Sequence, residues 1–399
     1  MLFRSVYLVI LLAGGLLLFS FLGRVALFDW DEINFAEIAR EMIVSRDYLN
    51  VQIDFAPFWE KPPLFIWMQA LSMKVFGVNE FAARFPNALG GILTLIMLYE
   101  MGMRIHDARF GALWALVYSG SILPFFYFKS GIIDPWFNLF IFAGVYQATL
   151  FLAAPDGRNL HVFLSGLLIG LGVLTKGPVA LLVFGLTAAV WLVLSRFRAN
   201  LSIRHVLLFL LGLVLTGGSW FAVQIATGHA DVVRDFITYQ IRLFSTKDAG
   251  HGGFPGYHVV VLAIGLFPAS AFFLGGLKSS PEETPLQRTW RQVCIILLLT
   301  VVILFEIVRT KILHYSSLAY FPLTFLATLS ITRTIDRNES FSRASKAWLI
   351  ASGGVVVLAI TGLCLVGLFR ERIVRSGLIR DPFVSGNLQA DVPWTGHEW

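Results

Sequence analysis

The chain has 399 residues, 57% of them apolar and 14% charged, with a mean hydropathy of +0.74 and a formal net charge of +6. This excludes disordered, fibrous and ordinary soluble classes and predicts an all-α polytopic membrane protein. The basic residues stand one to three at a time between apolar runs, without the clustered face that phosphate-backbone binding needs, so nucleic acid is not an expected partner. Cys294 and Cys364, the two cysteines, fall inside apolar runs as small hydrophobes and offer neither a disulfide framework nor a metal site.

Apolar runs able to cross the hydrocarbon layer number roughly eleven, each needing about 20 residues. They cover residues 7–27, 88–103, 108–128, 132–153, 162–175, 179–194, 206–227, 259–277, 293–308, 313–331 and 347–369. The first is too long for a signal h-region and lacks a small-x-small cleavage site, so it reads as a retained span. With Arg4 cytoplasmic, alternation puts Arg104, Arg109, Arg158, Arg196, Arg198, Arg204, the basic residues of 278–291 and those of 333–346 on one side, as the positive-inside rule requires. Residues 1–369 are thus expected to form one transmembrane domain. The opposite, outer face carries a long first loop at 28–87, short turns at Lys129, Lys176 and Lys311, a second loop at 228–258 and an irregular tail at 370–399.

Cations in short outer turns oppose the topological bias, and binding an anion is the simplest account of them. In the first loop, Ile33, Ala36 and Ile43 recur at helical spacing opposite Glu37, Arg40 and Glu41, which predicts a helix lying on the membrane surface. Pro62 and Pro63 punctuate a turn and start a second such helix, with Trp59 and Trp67 at headgroup depth.

Several outer residues carry candidate chemistry, each beside a plainer role. Asp31 and Glu32 follow the first span, where a carboxylate can act as general base toward a hydroxyl or can cap the next helix. Glu60 and Lys61, fixed between Trp59 and Pro62, form either an internal pair or a site for an anionic head group. Asp134 can cap a helix whose first position is Pro135, and Lys176 before Gly177 suits a helix C-terminus. Lys61, Lys129, Lys176 and Lys311 together favour a phosphate or another anion. The second loop offers Arg242, Lys247, His251 and Tyr257 for a polar cavity, and His251 with His258 is only a weak metal signal. Lys311, His314 and Tyr315 fall at the outer mouth of the tenth span, where Tyr315 also suits an aromatic belt.

The ordered series DEINFAEIAREM, EKPPLFIW, FGVNEFAARFPNAL, SGIIDPWF, LTKGP, YQIRLF, GHGGFPGYH and TKILHY with a following proline resembles the aminoarabinose transferase and protein O-mannosyltransferase family, integral membrane glycosyltransferases of the GT-C class. The resemblance covers about the first 325 residues, far more than one short pattern. It implies a GT-C helical bundle in a bacterial inner membrane, with the site facing the periplasm or outside. The implied donor is a sugar on a polyprenyl phosphate and the acceptor a lipid, glycan or protein, with transfer inverting the anomeric carbon. Asp31 is then the implied base, Glu32 shapes its pocket and Asp134 supports it. Glu60, Lys61, Lys129, Lys176, Arg242, His251, Lys311 and Tyr315 are the implied substrate-binding set. The sequence provides no strong metal-ligand set, although the resemblance admits a divalent cation such as zinc; no other cofactor is implied.

Two positions depart from the family pattern: Phe35 stands where tyrosine is frequent, and Lys129 replaces an arginine and loses its bidentate reach. Relatives also run longer, so a truncated or compact member is expected. A transporter or flippase, or a non-catalytic binder of polyprenyl-phosphate sugars, is the rival reading. Transporters place charge near the bilayer midplane at broken helices, whereas the unusual polar residues here collect on one face.

Overall fold

The computed structural model describes residues 2–28, 30–153, 158–197, 201–245, 253–377, 379 and 381–389. In chain order the helices are α1 (Leu2–Phe19), α2 (Asp31–Ser45), α3 (Leu64–Phe76), α4 (Glu80–Ile105), α5 (Ala108–Ser119), α6 (Ile122–Phe128), α7 (Asp134–Ala153), α8 (Asn159–Lys176), α9 (Val179–Leu194) and α10 (Ile203–Gly217). They continue with α11 (Ser219–Ala226), α12 (Ala230–Ser245), α13 (Tyr257–Gly265), α14 (Phe273–Gly276), α15 (Pro285–Ile307), α16 (Tyr320–Asp336), α17 (Arg343–Leu368), α18 (Arg370–Ser376) and α19 (Pro382–Gln389). A two-stranded hairpin, β1 (Gln52–Ile53) with β2 (Ala56–Pro57), sits between α2 and α3. Everything up to Ser340 forms one compact unit, and residues 341–399 form another.

The fold is the expected all-α membrane bundle, but the span count differs. Among the described residues six helices are long and apolar enough to cross a membrane, or eight if each bent pair is one span. The expected run 108–128 breaks between α5 and α6 with a 77° bend, and 206–227 breaks between α10 and α11 with a 58° bend. Gly120 and Gly218 stand at the breaks, where no side chain supports a continuing helix. The run 259–277 is divided into α13, a short 3-10 turn (Ala269–Ala271) and α14, with Pro268 at the N-cap of that turn. The first helix ends at Phe19, and the chain then turns where Gly23 lies so close to Phe81 that a Cβ would be 2.8 Å from the Phe81 Cβ.

The second outer loop and the tail are also more ordered than expected. Residues 230–245 form α12, whose Phe236 and Tyr239 are buried while Ile237 and Ile241 face outward. The tail contains the short helices α18 and α19. In α12 the three-residue spacing of Phe236 and Tyr239 supplies a face that loop composition alone conceals.

Two cores hold the first unit. The larger joins α4, α5, α7, α15 and α16 through Tyr99, Trp114, Phe142, Trp290, Phe321 and Phe325. The smaller lies beneath the first outer loop and packs Phe35, Ile38, Ala39 and Met42 of α2 on Phe65, Ile66, Ala70 and Met73 of α3. The buried stripe of α2 is therefore turned from the expected one, with Ile33 46% exposed and Glu41 buried. Glu41 Oε2 accepts from Phe55 N at 2.9 Å and so ties the hairpin to α2. Trp67 lies against the loop instead of anchoring in head groups: its Nε1 donates to Tyr48 O at 2.7 Å. Trp220 Nε1 and Gln224 Nε2 of α11 both donate to Leu49 O, at 2.9 and 3.0 Å.

Helices α8 and α10 meet backbone to backbone, since a Cβ at Gly166 or Gly212 would collide with the opposing carbonyls of Phe209 and Phe163. At the end of the bundle expected to be cytoplasmic, Arg109 pairs with Asp336 at 2.8 Å, and Glu283 accepts from Arg291 and Arg333 at 2.7 and 2.6 Å. Burial raises the pKa of Glu283, but hydrogen bonds and charge from Arg291 and then Arg333 outweigh it and hold the group below its ordinary value.

The first outer loop is fixed to the bundle by a buried ion pair. Glu32 Oε1 accepts from Arg84 Nε at 2.8 Å and Gly131 N at 2.5 Å, and its Oε2 accepts from Arg84 Nη2 at 2.9 Å and Phe28 N at 2.6 Å. Arg84 spends its other N–H groups on the carbonyls of Leu22, Val25 and Ala26. Removing one partner strands a charge from which water is excluded, so Arg84→Met should cost about 3–5 kcal/mol of stability. Thermal unfolding of the detergent-solubilised protein measures the loss, and adding Glu32→Gln to Arg84→Met should restore part of it.

Candidate functional site

Directly above that ion pair, α2 begins. Its N-cap is Trp30, which has φ 70° and makes no side-chain cap bond, so Asp31 is the first helical residue and not the cap. Holding a tryptophan at positive φ costs on the order of 1–3 kcal/mol. The turn is held by Asn34 N donating to Trp30 O at 3.0 Å and by Glu32 gripping Phe28 N. Asp31, 30% exposed, is thereby presented at a rim, and its Oδ2 lies 3.6 Å from His314 Nε2.

Asp134 opens α7 and is buried, with Oδ1 accepting from Lys176 Nζ at 2.6 Å. Its Oδ2 has no hydrogen-bond partner and lies 4.0 Å from His314 Nε2. Lys176 ends α8, as expected for a helix C-terminus, and its Nζ lies 5.5 Å from the Tyr315 ring and 5.7 Å from that of Phe137. Gly177 follows at φ +105°, a conformation glycine adopts without penalty, and lets the chain leave the helix there. Asp31, Asp134, Lys176 and Tyr315 therefore meet around His314, drawn from α2, α7, α8 and the 3-10 stretch Leu313–Ala319.

Lys61 lies beside this group, close enough for its charge to act on His314. Its Nζ is 3.6 Å from Glu60 Oε2 and 5.4 Å from the centre of the Tyr239 ring, over which Arg242 also stands at 5.2 Å. Tyr239 donates to Glu60 Oε2 at 2.9 Å, joining α12 to the first loop. A cavity of about 370 Å³ opens between them, lined in part by Trp59, Glu60, Asp235, Tyr239 and Arg242. Two cations around one tyrosine beside a roomy cavity suit an anionic head group.

Other sequence candidates are committed to structural work. Lys129 Nζ donates to the carbonyls of Ser20 and Leu17 at the end of α1, at 2.7 and 3.4 Å. Lys311 Nζ donates to the carbonyls of Phe305 and Glu306 at the end of α15, both at 2.7 Å, and lies 3.5 Å from the Glu306 carboxylate. Helix C-termini leave carbonyls unpaired and carry partial negative charge, and both lysines answer that need. Glu32 has both oxygens filled by donors and positions Asp31 without facing a substrate. His251 and Lys247 lie outside the described residues. Among the described residues no group of three His, Cys, Asp or Glu gathers as a metal site.

Sequence reading places His314 at the outer mouth of the tenth span but gives it no role in the site. It stands next to Tyr315 in TKILHY, but nothing local says that it lies between two carboxylates distant in the chain.

Residues 60–220 match the family model for dolichyl-phosphate-mannose-protein mannosyltransferase. The undecaprenyl phosphate-alpha-4-amino-4-deoxy-L-arabinose arabinosyl transferase of Pectobacterium carotovorum is 27% identical over 385 residues, covering 92% of this chain and 66% of that protein. The same-named protein of Pectobacterium atrosepticum is 28% identical, covering 84% of this chain and 61% of that one. This chain thus spans between 61% and 66% of the length of these two relatives. Among solved structures, ArnT from Cupriavidus metallidurans bound to undecaprenyl phosphate superposes with a TM-score of 0.74 at 21% identity, over 90% of this chain and 64% of that one. The archaeal oligosaccharyltransferase AglB from Archaeoglobus fulgidus gives 0.52 at 13% identity, over 88% of this chain and 54% of that one. By matched segment, relatives and fold together, the chain is similar to the aminoarabinose transferases and to the dolichyl-phosphate-mannose-protein mannosyltransferase model, and it has the fold of ArnT.

Proposed function

We propose that the chain is a multi-pass inner-membrane glycosyltransferase that moves a sugar from a polyprenyl-phosphate carrier to a hydroxyl or phosphate of a lipid, glycan or protein. The observation that carries this reading is the partly exposed Asp31 carboxylate beside His314, with the buried Asp134–Lys176 pair on the other side of the ring. An ArnT of the same fold binds undecaprenyl phosphate, which supports a carrier of that class. The arginine pairs at the other end of the bundle support an extracytoplasmic site, since basic residues mark the cytoplasmic side.

In this reading Asp31 removes the acceptor proton as its oxygen attacks the anomeric carbon from the face opposite the phosphate, which inverts that centre. Lys61 and Arg242 hold the phosphate that leaves, and the charge growing on its oxygen is stabilised by cations already in place. Lys176 is neutralised by Asp134 and fixes that carboxylate. Tyr315 packs against Lys176 and closes that side. Glu60 is engaged by Tyr239 and Lys61.

Mass spectrometry of polyprenyl-phosphate sugars and of glycolipids and glycoproteins, from cells with and without the gene, tests the reading: a donor should accumulate and a product disappear. Asp31→Asn keeps the shape and removes the base, so transfer should fall about 10²–10⁴-fold. Turnover at the normal rate would remove Asp31 from the mechanism. Lys61→Met should weaken the donor, seen as a KM raised about tenfold for the loss of about 1.4 kcal/mol of phosphate contact, with a smaller change in kcat.

A further inference from the structure

His314 is placed with more care than a packing residue requires. Its carbonyl accepts from Ser317 Oγ at 2.5 Å, and Ser317 Oγ accepts from Asn138 Nδ2 of α7 at 2.7 Å, so the backbone beneath the imidazole is tied to the helix that carries Asp134. The Tyr315 ring stands edge-on to it at 5.5 Å and limits its rotation. Its Nε2 then lies 3.6 Å from Asp31 Oδ2 on one side and 4.0 Å from Asp134 Oδ2 on the other. Hydrogen bonds from nitrogen to oxygen close at about 2.7–3.2 Å, so a shift of about 1 Å joins the ring to either carboxylate.

The two carboxylates are not equivalent. Asp31 is 30% exposed and faces incoming substrate, whereas Asp134 is 2% exposed, gives one oxygen to Lys176 and has no donor for the other. Leaving a buried polar atom unpaired costs about 1–3 kcal/mol, and more for a charged one. Such an oxygen is aimed at the one ring nitrogen able to bring it a proton.

Resting on the glycosyl-transfer reading above, we propose that His314 is the proton-accepting partner of Asp31, a positioning residue that takes over the acceptor's proton and holds it against Asp134. In the step, the acceptor O–H breaks, a bond forms from that oxygen to the anomeric carbon, and the bond from the anomeric carbon to the phosphate oxygen breaks with its electron pair going to the phosphate. The proton passes to Asp31, then to His314 Nε2, and the imidazolium sits between Asp31 and Asp134 until it releases the proton to water. Asp31 is thus returned to its basic form for the next acceptor. The groups that face His314 are Asp31 from α2, Asp134 from α7, Lys176 from α8 and Lys61 from the first loop, with Tyr315 beside it. His258 of α13 is buried; its backbone N–H donates to Glu306 of α15 at 2.8 Å, and Lys311, beyond the end of α15, lies 3.5 Å from that carboxylate. Two lysines and two carboxylates are thus set around the ring.

The test uses the full chain in lipid nanodiscs, with undecaprenyl-phosphate-linked 4-amino-4-deoxy-L-arabinose as donor probe, a phosphorylated glycolipid with free hydroxyls as acceptor probe and release of undecaprenyl phosphate as readout. His314→Gln should lower kcat about 100-fold, leave the donor KM within about threefold, and remove the histidine limb from the acid side of the pH–rate profile. His314→Asn should behave alike. Wild-type kcat and an unchanged acid limb in these variants, with Asp31→Asn inactive, overturn the relay and leave the transfer reading standing. An active Asp31→Asn overturns the reading beneath it.

A second arm needs no turnover. In protein with ¹⁵N-labelled histidine, the resonance lost in His314→Gln should titrate, and Asp134→Asn should move that titration to lower pH by about one unit, because an opposite charge nearby favours imidazolium. A titration indifferent to Asp134 overturns the proposal even if the sugar probe is the wrong one.

Discussion

The Glu32–Arg84 pair governs the arrangement of this protein's outer end. Both side chains are almost wholly buried, with every carboxylate oxygen and most of the guanidinium engaged, and the partners come from α2, from α4, from the chain leaving α1 and from the turn before α7. Such a pair adds little net stability compared with an apolar substitute, because removing two charges from water is costly. What it gives is a unique geometry: only one register of the loop satisfies all the donors together. The strained turn at Trp30 and the presentation of Asp31 follow from that register.

The outer lysines show how one residue type divides between architecture and chemistry. Lys129 and Lys311 close the carbonyl ends of α1 and α15, where the helix dipole favours a cation. Lys176 also ends a helix, yet its ammonium turns to a buried carboxylate, and Lys61 lies against Tyr239 and Glu60. The difference lies in what each faces across the bundle, a property of the fold and not of the local sequence.

That explains what could be read beforehand. Membrane class, the all-α bundle, the ordered helices after Pro63 and after Asp134, and the grouping of Asp31, Asp134, Lys176 and Tyr315 were legible, because apolar run length and helix-start chemistry are local and the motif order carried the rest. The breaks at Gly120 and Gly218 were hidden by unbroken hydropathy, since a bend does not change composition. The face of α2 was misjudged because a buried Glu41 counted as polar, whereas its carboxylate caps a hairpin amide. The role of His314 escaped because its partners lie far away along the chain, in α2 and α7.

The glycine seam between α8 and α10 reaches further than its own contact. Lys176 is the last residue of α8, so the height at which its ammonium meets Asp134 is inherited from how deeply Gly166 and Gly170 let that helix settle against α10. The seam works as a fulcrum: any bulk added there tilts the rod, and the displacement grows along it toward the charged tip. Side chains far from the charged tip can in this way retune the electrostatics of the rim while every polar residue stays the same.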